Sequence, residues 1–149
     1  MVAIDFNDEF SSYGLKNTKN RQEILKVLIN SVQPLTADQI YFQLNQNGEV
    51  MNLSTIYRTL STLSEKGLLI KVVLADESKT LFEYNRQIHK HYLICQDCRT
   101  IIPIEHCPIS EYERSLSKET NFHIIGHKLS IYGYCHDCWQ KRNPLDRIQ

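Results

Sequence analysis

Two Cys-x-x-Cys knuckles, Cys95-Gln96-Asp97-Cys98 and Cys135-His136-Asp137-Cys138, take up four of the five cysteines in this 149-residue chain. Two such pairs supply the four thiolates of a closed tetrahedral zinc site. The 36 residues between the knuckles exceed the spacing of a zinc ribbon, so the ion would pin together the two ends of a subdomain. That role is structural. The competing reading, a redox Cys-x-x-Cys or two unrelated thiol pairs, explains one knuckle but not two matched ones. Zinc deaminase chemistry needs a His-x-Glu partner and an open coordination position, and four thiolates leave none open, so no enzyme is expected.

The histidines suggest a second site of different character. Five of six, His89, His91, His106, His123 and His127, precede the second knuckle, and His136 lies inside it. Side chains alternate along an extended backbone, so His89 and His91 project to the same side and can share one ion. A third ligand could be His127, and a fourth Glu111, Glu105 or Cys107. Imidazole and carboxylate ligation suits a site that fills and empties, unlike the all-thiolate one. His123 reads better as a packing or surface residue, and His136 as solvent-facing.

These groups need elements to position them. Thr18 to about Ile29 reads as a helix capped by Thr18, with Ile24, Leu25, Val27 and Leu28 as its apolar stripe, ended by Pro34. Thr36-Ala-Asp-Gln39 has capping-box form and opens a helix carrying Ile40, Tyr41 and Leu44 that stops near Asn47-Gly48. Ser54 can cap a third helix that buries Ile56, Leu60 and Leu63, with Gly67 at its left-handed end. Two β-like segments, 69–74 and 80–84, joined by polar residues 75–79, form a hairpin. Three helices and a hairpin in this order make a winged helix-turn-helix, whose third helix enters the major groove. Further on, 92–95, 100–104, 122–125 and 128–132 read as strands and 108–118 as a helix. The fold class is therefore α+β, with a winged-helix domain over 1–84, a hinge at 85–88 and a second, α/β domain over 89–149.

Charge bears on how such a helix would find DNA. Seventeen basic residues balance seventeen acidic ones, so no global field draws the chain onto nucleic acid and any binding must be local. A basic surplus does occur at Lys16, Lys19, Arg21 and Lys26, opposed only by Glu23. The outer face of the third helix offers Ser54, Thr55, Tyr57 and Arg58, hydroxyls and a guanidinium suited to phosphate and base-edge contacts. Lys16, Lys19, Arg21, Ser54, Thr55, Tyr57 and Arg58 are thus the candidate DNA-binding residues. No run approaches the 18 apolar residues of a membrane helix, and thiols kept for metal suit a reducing compartment, so a cytoplasmic location is expected.

Leu53-Ser-Thr-Ile-Tyr-Arg-Thr-Leu60, the run His89 to Cys98 and the run Gly126 to Cys138 resemble the ferric uptake regulator family over nearly the whole chain. Residues 104–108 and 125–128 are most similar to its zinc uptake regulators. The resemblance implies a homodimeric repressor on palindromic double-stranded DNA, controlling metal-uptake genes. In it the C-terminal halves dimerise and a regulatory divalent metal near the hinge favours DNA binding. It further implies structural zinc on Cys95, Cys98, Cys135 and Cys138, and a regulatory site, zinc-binding by this likeness, of His89, His91, His127 and an acid, here Glu111.

The chain also departs from the family pattern. Ser110 stands at the acidic ligand's position, with Glu111 one residue later. Lys90 and Tyr92 occupy positions from which many members draw further ligands, which counts against peroxide sensing by histidine oxidation. Tyr84 stands where zinc-sensing relatives often carry a cysteine. The open alternatives are sensing through His89, His91 and His127 alone, an altered site using Cys107 or His106, an iron or manganese signal, or a redox or constitutive regulator that no longer senses metal.

Overall fold

The computed structural model describes residues 4–74, 78–86 and 89–143. The chain divides into two compact units, Met1–Gln87 and Ile88–Gln149. Part of the expected hairpin connection, residues 75–77, and hinge residues 87 and 88 lie outside the described residues.

In the first unit helix α2 (Lys19–Asn30) is capped by the Thr18 hydroxyl, which accepts from the Arg21 amide. Helix α3 (Ala37–Gln46) begins with a complete capping box: Thr36 accepts from the Gln39 amide, and Gln39 accepts from the Thr36 amide. Helix α4 (Leu53–Glu65) follows, and Gly67, at φ 84°, takes the left-handed conformation that ends it. Its cap is Asn52 rather than Ser54. The Asn52 side chain accepts from the Thr55 amide, and the Ser54 hydroxyl donates to that same side-chain oxygen. Asn is as good a cap as Ser, and here it stands two residues earlier, where the helix starts.

Strands β1 (Leu35–Thr36), β2 (Leu69–Val73) and β3 (Thr80–Tyr84) form an antiparallel sheet in the order β1-β3-β2. Ile24, Leu25, Ile40, Leu44, Ile56, Leu60 and Leu63 from the three helices are at most 1% exposed and pack in one core with Leu69 and Phe82 of this sheet. A short N-terminal helix absent from the sequence reading, α1 (Phe6–Ser12), adds Phe10 to that core. The Tyr84 hydroxyl holds α1 by donating to Glu9 at 2.8 Å. Burial, with the Glu9 carboxylate, pushes that phenol well above its ordinary pKa.

The second unit is built on strands β4 (His91–Cys95), β5 (Ile101–Ile104) and β6 (Ser130–Gly133), in the order β5-β4-β6. β5 pairs antiparallel with β4 and β6 pairs parallel with it, so the chain crosses over between β5 and β6 through helix α5 (Ser110–Thr120). Pro103 sits on the edge strand, where its missing amide is tolerated. Residues 122–125 form no strand, contrary to the sequence reading. Phe122 and Ile125 have strand-forming side chains, but both are largely exposed and neither belongs to the sheet. A final helix, α6 (His136–Arg142), starts inside the second knuckle.

Two candidate metal centres and a helix face

The first knuckle begins at Cys95, the last residue of β4, and the second spans the start of α6, so the β4–β6 pairing brings the four sulfurs together. All lie within 4.8 Å of one another, and Cys98 Sγ is 3.6 Å from Cys135 Sγ. A tetrahedral zinc with bonds of about 2.3 Å separates its sulfurs by roughly 3.8 Å, so the cluster has the dimensions of that ion. The Gln96 amide donates to the Gly133 carbonyl at 2.8 Å and the Cys135 amide to Cys95 Sγ at 3.3 Å, stitching knuckle to knuckle. Arg99 closes the first knuckle in the left-handed conformation at φ 61°.

Backbone amides of Cys135, Cys98 and Asp97 hold the Cys95 thiol down at about 6. The adjoining Cys135 sulfur and burial push Cys138 up to about 12. Four sulfurs so grouped suit a divalent cation, which favours the thiolate form of each ligand. Outside the sulfurs, Arg142 Nε and Nη2 donate to the two Asp97 carboxylate oxygens at 2.7 and 2.6 Å. This fork bridges the first knuckle to the helix carrying the second.

The second centre lies across the start of β4, the β5–α5 connection and the segment before β6. Nε2 of His127 is 2.8 Å from Nε2 of His89 and 2.9 Å from Nε2 of His91, and Cys107 Sγ stands 3.4 Å from the same nitrogen. One ligand atom from each of these four residues falls within 4.8 Å of all the others. His91 is 1% exposed, and burial, followed by the positive charge His89 and His127 can carry, lowers its pKa, with the Leu129 backbone acting the other way. Its favoured neutral imidazole is the ligand form. His127 Nδ1 lies 2.6 Å from a Glu113 carboxylate oxygen. Three imidazole nitrogens aimed at a common point, one held from behind by a carboxylate, suit a cation.

Of the expected regulatory residues, His89, His91 and His127 converge here and Glu111 does not. Glu111 is exposed on α5, two residues and so about 200° around the helix from Glu113, which faces His127. Cys107 stands in the group in its place. Glu113 escaped the sequence reading because its part depends on the rotational phase of α5, and only an exact start for that helix would have revealed it.

The expected DNA-binding residues fall in the first unit. Ser54, Tyr57, Arg58 and Ser61 recur at helical spacing on α4, opposite the buried Ile56, Leu60 and Leu63. Ser54, Tyr57 and Arg58 are exposed, and Thr55 is partly buried. Lys16 is exposed. Lys19 pairs with Glu49 at 2.9 Å, and the Arg21 guanidinium donates to the Lys16 carbonyl at 2.6 Å, so both are engaged locally.

The sequence profile of the ferric uptake regulator family matches residues 12–132. The peroxide-responsive repressor PerR of Staphylococcus aureus is 33% identical over 128 residues, spanning 86% of this chain and 85% of the relative. The crystal structure of the Vibrio cholerae ferric uptake regulator superposes with a TM-score of 0.78 at 30% identity, covering 88% of this chain and 100% of that one. The Francisella tularensis ferric uptake regulator, solved with iron, gives 0.74 at 27% identity over 85% and 96% of the two chains. Among the described residues, no helix is long and apolar enough to cross a membrane.

Proposed function

The chain belongs to the ferric uptake regulator family, and from that premise we propose that it is a zinc-responsive repressor, acting as a homodimer on palindromic operators of metal-uptake genes. The observation that carries this reading is the presence of two ligand groups of opposite character in one unit. Cys95, Cys98, Cys135 and Cys138 hold a resident zinc. His89, His91 and His127 hold the ion that is sensed. When bound there, the ion supplies a cross-link between the start of β4 and the segment before β6.

His89 sits beside the hinge, so engaging its imidazole restrains the chain that leads to the winged helix. Restraint favours the arrangement in which two recognition helices match two half-sites. Moving that equilibrium from 1:99 to 99:1 takes about 5.5 kcal/mol of differential affinity, within the range of coordination free energies. Ser54, Tyr57 and Arg58 on α4 then meet DNA, with Thr55 at the helix start and Lys16, Lys19 and Arg21 near the backbone. The second copy docks on the C-terminal sheet. Cross-strand neighbours Ile102, Leu93 and Ile131 form an apolar row there, each left between 42% and 49% exposed.

The test is zinc per chain before chelation, after it and after zinc is restored, with operator binding followed in parallel. One resistant equivalent, and a second that leaves and returns together with DNA affinity, is the expected result. A single resistant equivalent with DNA binding indifferent to chelator would reject zinc sensing. A second reading, peroxide-responsive repression, draws on the 33% identity to PerR. It predicts that the iron-loaded protein loses DNA binding on exposure to hydrogen peroxide with a histidine oxidised. Lys90 and Tyr92, next to His89 and His91, speak against it.

A further inference from the structure

Resting on the metal-sensing reading, we propose that the Cys107 thiolate is the fourth ligand of the histidine site, with Glu113 an outer carboxylate that orients His127. The resulting set of three imidazoles and one thiolate selects zinc over manganese.

Distances, helix phase and donor chemistry support this assignment independently. A tetrahedral ion with about 2.05 Å bonds to nitrogen and about 2.3 Å to sulfur sets its ligands roughly 3.3 Å apart for N···N and 3.6 Å for S···N. The observed 2.8, 2.9 and 3.4 Å are each a few tenths shorter, so small side-chain adjustments admit the ion. The nearby acids are unsuited to the fourth position. Glu113 is engaged with His127 Nδ1, the atom facing away from the cluster, and Glu111 lies on the other side of α5. Ser110 comes one turn before Glu113 on the same face, but a neutral hydroxyl is a weak ligand, and its Oγ donates to the Cys107 carbonyl.

A thiolate in place of a carboxylate changes which ions the site holds. Oxygen-rich sets suit manganese, whereas thiolate and imidazole suit zinc and its tetrahedral stand-in cobalt(II). The carboxylate–histidine–metal relay through Glu113 fixes the His127 tautomer with Nε2 free to ligate.

The test uses full-length protein with its resistant zinc in place, titrated with cobalt(II). Cobalt in the second site should give intense tetrahedral visible bands and a near-ultraviolet sulfur-to-cobalt charge-transfer band. Zinc analysis must show the first equivalent retained. In Cys107→Ser the charge-transfer band should vanish, with zinc affinity down about tenfold or more and manganese affinity nearly unchanged. Glu113→Gln should keep the band while zinc affinity falls about tenfold, and Glu111→Gln should alter neither. Cobalt binding without a charge-transfer band, or a band that survives Cys107→Ser, overturns the thiolate assignment and leaves metal sensing standing. If no second cobalt or zinc binds to the native chain, both this assignment and the sensing reading fall.

Discussion

The two units hold themselves together by different means. The N-terminal unit buries seventeen hydrophobic residues in one continuous cluster drawn from its helices and its small sheet. In the C-terminal unit the buried residues are Tyr92, Ile94, Cys95, Ile101, Cys138 and His91 among those described, and three of these six are metal ligands in our reading. Helix α5 contributes no buried residue, and every residue of β6 is exposed. A unit of this size with so thin an apolar core lies where metal or association must supply stability. In our reading the N-terminal unit rests on its own core, and the C-terminal unit is completed by the metal and the second copy it binds.

Removing the zinc we propose on the four cysteines should break this contrast most sharply. Structural zinc contributes about 10–16 kcal/mol of apparent binding free energy, more than a small unit's whole stability. Cys138→Ser should therefore unfold the C-terminal unit and leave the N-terminal one intact. Amide hydrogen exchange checks this: protection should collapse in β4, β5 and β6 and persist in α2, α3 and α4. Uniform loss across both units would show that they stand or fall together.

The complementary change is Leu60→Ala, in the centre of the N-terminal core at 0% exposure. Deleting a buried leucine costs about 2–5 kcal/mol. In thermal unfolding followed by far-ultraviolet circular dichroism, the N-terminal transition should fall while the chelator-resistant zinc equivalent stays bound. A third change acts on association. Leu93→Asp sets a charge in the middle of the apolar row and should weaken the dimer by about 2 kcal/mol or more, some thirtyfold in dissociation constant. Sedimentation equilibrium would show it, and an unchanged dimer would move the interface elsewhere.

What the sequence disclosed follows the same division. Helices α2, α3 and α4 were legible because each joins an apolar stripe at helical spacing to a polar cap, the signals of a unit that folds on its own core. Helix α1 was missed although Asp5 caps it and Phe6 and Phe10 stand one turn apart, because seven residues give periodicity too little length. The cysteine cluster was readable from spacing alone. The histidine site was readable only in part: Cys107 was one of three candidates for the fourth position, and the carboxylate behind His127, Glu113, depends on how α5 is rotated. The false strand at 122–125 shows the limit: Phe122-His-Ile-Ile has the composition of a strand, but pairing is decided by neighbours distant in sequence. Helix α6 went unread because it begins inside the second cysteine knuckle, at Cys135, with no side-chain cap.

The smallest effect tests whether the N-terminal unit's independence reaches down to single caps. Asn52 accepts from the Thr55 amide at 2.8 Å and orders the start of α4, the helix that presents Ser54, Tyr57 and Arg58. Replacing it with alanine leaves that amide without its cap and should cost about 1 kcal/mol. In a unit of this size that is roughly a 4–8 °C drop in midpoint, confined to the N-terminal transition. Because the Ser54 hydroxyl donates to the same oxygen, the change also frees a side chain expected to meet DNA. Operator affinity should therefore fall in Asn52→Ala even well below the midpoint, with zinc content unchanged. If stability falls and affinity holds, Asn52 is only a helix start, and the recognition surface tolerates fraying at its first turn.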